Sequence, residues 1–297
     1  MKLLATYKNG NYTVKLFDNG TKIRYNNLDN FKPDFAESID CNISTICNGG
    51  CQYCYLNCTE NGEHADLTNP IFDTLHAGTE LALNANDLSH PDLESFLIKM
   101  KNKGIICNLT INQKHLYDNL EKLIKWQTNK LVYGIGISLI DSNDTKLIKC
   151  YNKLQNTIIH VIDGCLTKND LENLSNHNIK LLILGFKHKG RGIDYYKVNN
   201  SIVDNNISFL KDNLYEYRHK FNGFAFDNLA SDHLNIRQLV GEDKWKTNYM
   251  GNEGEFTFYL DAVTNKFAVS SMETTMFDAM STVDNMFKEV RKIQGFS

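Results

Sequence analysis

From about residue 78 to residue 227 the chain repeats one pattern, a short apolar strand followed by a stretch with helical spacing. The strands read GTELALN (78–84), GIICNLTI (104–111), LVYGIGISLI (131–140), NTIIHVID (156–163), IKLLILGF (179–186) and NGFAFD (222–227). Between them lie runs such as Leu93, Phe96, Leu97 and Met100, or Leu116, Leu120, Leu123 and Ile124, spaced for a helix that buries one side. Near-continuous apolar strands alternating with amphipathic helices specify a parallel sheet covered by helices or closed into a barrel. The fold expected is therefore α/β, a complete or partial TIM-like barrel.

The flanks read differently. Residues 2–25 alternate β-prone runs with Asn9-Gly10 and Asn19-Gly20, pairs that suit tight hairpin turns, and predict a small β-meander. In FAESIDCNISTIC (35–47), Ile39, Cys41 and Ile43 share one face of a strand that ends at Cys47. After about residue 230 the rhythm breaks into a hairpin over 255–270, turning near Thr264-Asn265, and a closing helix over 273–295 with Met276, Met280, Val283 and Phe287 on one face. The organisation expected is a meander over 1–34, a barrel core over 35–230 and a C-terminal extension with hairpin and helix over 231–297. The meander and the terminal hairpin are candidates for closing the barrel mouth.

A chain of 297 residues, 42% hydrophobic, buries one substantial core. Its 32 Lys and Arg stand against 35 Asp and Glu, so there is no strong nucleic-acid signal and no field for anionic lipid. The first apolar run is too short for a secretion signal or a membrane span, and the reading is a cytoplasmic protein with no membrane association.

Eight cysteines are too few for a disulfide scaffold, and five of them fall between 41 and 58. Clustering of this kind points to a metal. Cys107, Cys150 and Cys165 lie apart and read as small buried hydrophobes, as does Cys41 beside Ile39 and Ile43. Cys47-x3-Cys51-x2-Cys54 places three thiolates on one loop with Gly49 and Gly50, and thiolates are the soft ligands of iron–sulfur clusters. Three ligands to a cluster of four irons leave one iron open. A bacterial ferredoxin run fits less well, because the first gap is one residue too long and Thr59 stands where Pro would follow Cys58. A structural zinc site using Cys58 or His64 as fourth ligand is the other metal reading.

With Tyr53 before the third cysteine, NISTICNGGCQYCY resembles the cluster loop of the radical S-adenosylmethionine (SAM) superfamily. NANDLSHPDLESFL (84–97) resembles that family's GGEPLLHPDL segment, TINQ (110–113) its third-strand TNG, and GISLID (136–141) its fourth strand. The likeness spans roughly residues 35–230 and extends to small radical SAM proteins of bacteria and phages. In the GGEP segment Asn84 and Ala85 replace the glycines, Asn86 the Glu and Asp87 the Pro, so an amide oxygen stands where the family offers a carboxylate.

The resemblance implies a [4Fe–4S] cluster on Cys47, Cys51 and Cys54, with SAM near Tyr53, Asn84, Asn86, Asn112 and Ser138. It implies an enzyme that accepts an electron from a flavodoxin- or ferredoxin-like donor and cleaves SAM to a 5′-deoxyadenosyl radical that takes hydrogen from a substrate the sequence does not identify. With no cysteine after 165 it lacks the C-terminal auxiliary clusters of many peptide-modifying relatives. A cluster-binding or regulatory protein that has lost radical chemistry is the alternative, and a structural zinc protein the more distant one.

Parallel barrels carry their chemistry at the C-terminal ends of the strands. Without any resemblance this nominates Asn84 and Asn86, Asn112 and Gln113, Ser138 and Asp141, Asp163, then Lys187, His188 and Arg191, and lastly Asp227 and Asn228. About half of these should serve turns and helix N-caps instead. The cations of KHKGRG (187–192) read as a solvated loop or as a holder of an anionic group. His160, among Ile158, Ile159, Val161 and Ile162, reads as a core histidine, and His90 as the organiser of a turn.

Overall fold

The computed structural model describes residues 1–28 and 30–296. Strands β1 (Leu3–Asn9), β2 (Tyr12–Phe17) and β3 (Lys22–Tyr25) form the antiparallel meander. The repeating part runs β4 (Ser38–Asn42), β5 (Glu80–Asn86), α1 (Leu93–Asn102), β6 (Ile106–Asn112), α2 (Gln113–Thr128), β7 (Gly134–Ser138) and α3 (Thr145–Tyr151). It continues through β8 (Thr157–Ile162), α4 (Lys168–Leu174), β9 (Lys180–Leu184), α5 (Arg191–Tyr217) and β10 (Gly223–Phe226). Three short helices follow, α6 (Asn228–His233), α7 (Ile236–Val240) and α8 (Glu242–Asn248), then β11 (Thr257–Asp261), β12 (Lys266–Ala268), β13 (Phe277–Asp278) and α9 (Val283–Ile293).

Strands β4 to β10 lie in sequence order in one parallel sheet, and β11 adds to β4, also parallel, before turning back antiparallel into β12 and β13. Inward side chains from Asp40 and Tyr259 round to Ala225 line a single cavity of about 820 Å³, so the sheet curls on itself. Its end strands β10 and β13 do not pair, which makes this the partial form of the TIM-like barrel.

The apolar core lies outside the strands. Ile39, Cys41, Leu81, Leu83, Leu109, Ile137, Ile159 and Leu181 are buried under Phe96 and Leu97 of α1, Leu116 and Trp126 of α2, Leu171 of α4 and Leu210 of α5. Each such side chain contributes roughly 1.5–3 kcal/mol of transfer free energy. The inward positions carry Asp40, Asn42, Asn84, Asn108, Thr110 and Ser138 instead. Strands β4 to β7 therefore alternate, polar toward the chamber and apolar toward the helices, whereas β8 and β9 are apolar on both faces as the sequence suggested, with Ile158, Ile162, Leu182 and Leu184 on the chamber wall.

Two expectations about the flanks are corrected. The meander docks at the N-terminal ends of the strands, opposite the cysteine loop: Glu37, fully buried just before β4, takes Tyr12 Oη at 2.6 Å and Arg24 Nε at 2.7 Å, and Lys22 Nζ reaches Glu80 at 2.6 Å. Leu4, Leu16 and Phe17 thus form the floor of the cavity, not its mouth. The closing helix starts at Val283, because Thr282 caps it by accepting from Asn285 N at 3.2 Å. Met276 and Met280 precede it, next to the short strand that pairs with Lys266 and Phe267.

Candidate active site

The loop carrying Cys47, Cys51 and Cys54 closes the C-terminal end of the barrel, and all three side chains are partly exposed and line the cavity. The loop is braced from several sides. Arg191 at the start of α5 donates through Nε to Cys51 O and through Nη1 to Cys58 O, both at 3.0 Å, while its backbone N–H reaches Cys54 O at 3.1 Å. Asn86 donates to Ser44 O at 2.7 Å and Ile46 O at 3.2 Å, and Lys114 to Asn48 O at 3.2 Å. Gly190 lets α5 approach: its φ is +56°, and a Cβ there would sit 2.5 Å from Tyr55 O and 2.8 Å from Cys54 O.

Electrostatics separate the four thiols. A hydrogen bond from Cys58, helped by nearby backbone N–H groups and Arg191, pulls Cys54 down to about 6, and the same bond with burial pushes Cys58 up. Burial raises Cys47 and Cys51, although Gly49 N–H points at Cys47 Sγ at 3.3 Å.

Among the described residues no three Cys, His, Asp or Glu side chains converge on a point that would hold a single metal ion. A cluster several ångströms across asks for sulfurs spread around it rather than meeting at its centre, and three part-exposed thiols on one braced loop fit that demand. The space at Gly49 is part of the fit, since a Cβ would lie 3.2 Å from Cys47 Sγ and 2.9 Å from Asn112 Nδ2.

Of the nominated residues, the fold brings Asn84, Asn86, Asn112, Ser138, Lys187 and Asp227 together with Tyr53 on the cavity wall. Asn112 also caps α2 through Lys114 N (2.9 Å) and aims its amide at Cys51 Sγ (3.8 Å). Asn84 donates to Asn42 at 3.4 Å. Gln113, Asp141, Asp163, His188, Arg191 and Asn228 lie off this wall. Gln113 ties down the loop after β7 by accepting from Ile140 N and Asp141 N, and Asp141 turns that loop by accepting from Asn143 N. Asp163 is buried against Phe186 N and His233 Nδ1, both at 2.7 Å. His90 organises its turn, as expected, through Ala65 O and Asp92 N.

The basic loop is not a solvated one, since its cations are turned inward. Arg191 holds the cysteine loop, Lys189 donates to Ser271 O and Glu273 O, and Lys187 donates to Ser271 Oγ at 2.6 Å. His160 is not a core residue either. Its ring faces the cavity over Gly136 without a hydrogen bond among the described residues, and burial lowers it to about 4, so it is neutral at pH 7.

Asp40, Tyr55, Cys58 and Cys165 also line the chamber and were not nominated. Asp40 had a signal, a charge between Ile39 and Cys41 on a strand whose other face is core. Cys165 had none, because a half-buried cysteine after a strand reads like any packed one.

No family model matches the chain, and no curated protein matches it. Among solved structures the chain is similar to Streptococcus suis SuiB bound to S-adenosylmethionine, with a TM-score of 0.57 and 14% identity over 89% of this chain and 69% of that one. A second structure of Streptococcus suis SuiB gives a TM-score of 0.56 at the same identity and coverage. At this identity the likeness shows the fold: alternating β/α units on a largely parallel sheet.

Proposed function

We propose that the protein is a radical SAM enzyme. The observation that carries this reading is the placement of Cys47, Cys51 and Cys54 on one braced loop at the C-terminal end of a partial barrel, facing the same chamber as Asn84, Asn86, Asn112 and Ser138. The fold it shares with a protein solved with SAM bound supports it further.

Cys47, Cys51 and Cys54 would hold a [4Fe–4S] cluster through three thiolates. Bound there, cluster and SAM would supply reductive cleavage of SAM to methionine and a 5′-deoxyadenosyl radical able to take hydrogen from a substrate. The chain's own part is positional. Ser138, which lines the chamber at the end of β7 and makes no side-chain hydrogen bond among the described residues, would orient a ribose, and Asn112 would back Cys51. Tyr53 walls the chamber beside Cys165 and packs edge-on against Tyr195 with 5.6 Å between ring centroids, helping to exclude water. A flavodoxin- or ferredoxin-like donor would supply the electron, and a reducing cytoplasm would keep the thiols free.

One observation favours a second reading, a cluster-binding protein without radical chemistry. The amide of Asn86 is engaged with the loop carbonyls of Ser44 and Ile46, and no carboxylate stands at this position for the ammonium of SAM.

Anaerobic reconstitution followed by a dithionite-driven assay tests both. About four irons per chain together with 5′-deoxyadenosine support the enzyme. Cluster without deoxyadenosine supports the second reading, and a reconstituted sample without iron overturns both.

A further inference from the structure

The curled sheet leaves a seam between its unpaired end strands β10 and β13, and four charged side chains gather beside β10. Asp40 comes from β4, Asp227 and Lys187 from just after β10 and β9, and Glu253 from the segment before β11, and each lies close enough to feel the others' charge. Outside it lies a second cavity of about 330 Å³, lined among others by Trp245, Tyr249, Asp232, Asn228 and Glu253, with no Lys or Arg on its wall. Adjacent residues line the two cavities, Asp227 the chamber and Asn228 the outer one. Trp245 and Tyr249 stack at 4.4 Å between centroids.

We infer that this outer cavity is a vestibule for a small organic cation, a molecule carrying a protonated amine or guanidinium, which crosses the seam to Asp40 inside the barrel. Aromatic faces beside carboxylates, with no competing cation, form the chemistry that holds such a group. The seam has the same bias, with three carboxylates for one ammonium. Lys187 does not neutralise them directly: it donates to Ser271 Oγ at 2.6 Å and lies 4.1 Å above the Tyr55 ring. One oxygen of Asp227 is engaged by the N–H groups of Gly185 (3.0 Å) and Ala230 (2.8 Å). Asp40, open to the chamber, makes no side-chain hydrogen bond among the described residues. Burial and the nearby Asp40 and Asp227 hold Glu253 up at about 7, the mark of a site short of positive charge.

As a substrate route the inference rests on the chamber being where the proposed chemistry occurs, but its test needs neither iron nor SAM. Of the two tryptophans, Trp126 of α2 is fully buried and Trp245 lines the vestibule, so quenching by an added ligand reports on the vestibule. The whole chain is titrated at fixed ionic strength with 1,5-diaminopentane, pentane-1,5-diol and glutarate, which share length and differ in charge. Saturable quenching by the diamine, at least about tenfold tighter than by the diol or glutarate, is expected. It should vanish in Trp245→Phe and weaken about tenfold in Glu253→Gln and Asp232→Asn, with circular dichroism confirming that each variant folds. Ligand-observed saturation-transfer NMR on the unaltered chain gives the same comparison without a variant. Equal binding of diol and diamine, no saturable diamine binding, or unchanged affinity in folded Glu253→Gln overturns the inference. Diamine binding without deoxyadenosine formation would overturn the radical reading and leave this one standing.

Discussion

Gly136 and His160 are fitted to one another across β7 and β8: a Cβ at position 136 would lie 2.2 Å from Cε1 and 2.3 Å from Nε2 of the His160 ring. The ring occupies the space that glycine leaves, and this fixes on the chamber wall an imidazole with no hydrogen bond among the described residues. Gly136→Ala should therefore destabilise the protein by about 1–3 kcal/mol through overpacking. Adding His160→Ala should restore part of that loss, with a coupling of at least about 0.5 kcal/mol in a double-mutant cycle. Urea denaturation of the four proteins measures it, and strict additivity would contradict the fit.

The same imidazole sets a pH dependence. Burial lowers His160 from 6.5 to about 4, so between those values the unfolded chain binds a proton that the folded chain does not. Stability from this group is present above pH 6.5 and is lost as pH falls toward 4, by up to about 3 kcal/mol. Carboxyls raised by burial, such as Glu253, act in the opposite sense between their ordinary range and about 7. The difference between the original chain and His160→Gln isolates the histidine: their stabilities should converge on acidification. A constant difference between pH 7 and pH 4.5 would show that the ring is not kept neutral.

Arg191 ties α5 to the cysteine loop through the carbonyls of Cys51 and Cys58, each at 3.0 Å. Hydrogen bonds from a charged donor contribute about 1.5–3 kcal/mol, and the fork cannot be reproduced by an ammonium. Arg191→Lys should accordingly keep the fold but loosen the loop, seen as faster amide exchange over residues 47–58 and faster iron loss to a chelator. Unchanged exchange in that segment would count against the bracing role.

Cys58 stands apart from the three part-exposed thiols, because it is buried and accepts a hydrogen bond from Asn86 Nδ2 at 3.6 Å. Iron content after reconstitution should fall to background in Cys47→Ala, Cys51→Ala and Cys54→Ala and stay near the unaltered level in Cys58→Ala. Iron loss in the Cys58 variant as well would mean that the ligand set is different.

Glu37 anchors the meander beneath the barrel. It is fully buried with Tyr12, Lys22 and Arg24 around it, so Glu37→Ala strips Arg24 of its carboxylate partner and leaves Lys22 with Glu80 alone. Removing one member of a buried pair costs about 3–5 kcal/mol. The variant should show that loss in denaturant unfolding and early proteolysis before residue 37. Resistance equal to the unaltered chain would contradict the docking.

Much of the barrel was written in the sequence because it depends on short-range chemistry. Apolar side chains such as Leu81, Leu83, Ile135 and Ile137 must leave water, and short apolar runs alternating with stretches of helical spacing are visible without a partner. The cysteine spacing was legible for the same local reason, since one loop carries all three thiols. What lies opposite what was not legible. That Arg191 would serve as a brace, that the meander would close the floor, and that Asp40 would meet Lys187, Asp227 and Glu253 at a seam all depend on residues tens to hundreds of positions apart. Such encounters follow from how far the sheet curls and where its edges fail to pair, which is a property of all the strands together. Residue types and local elements belong to the sequence; the chamber, its floor and its seam came only with the closing of the sheet.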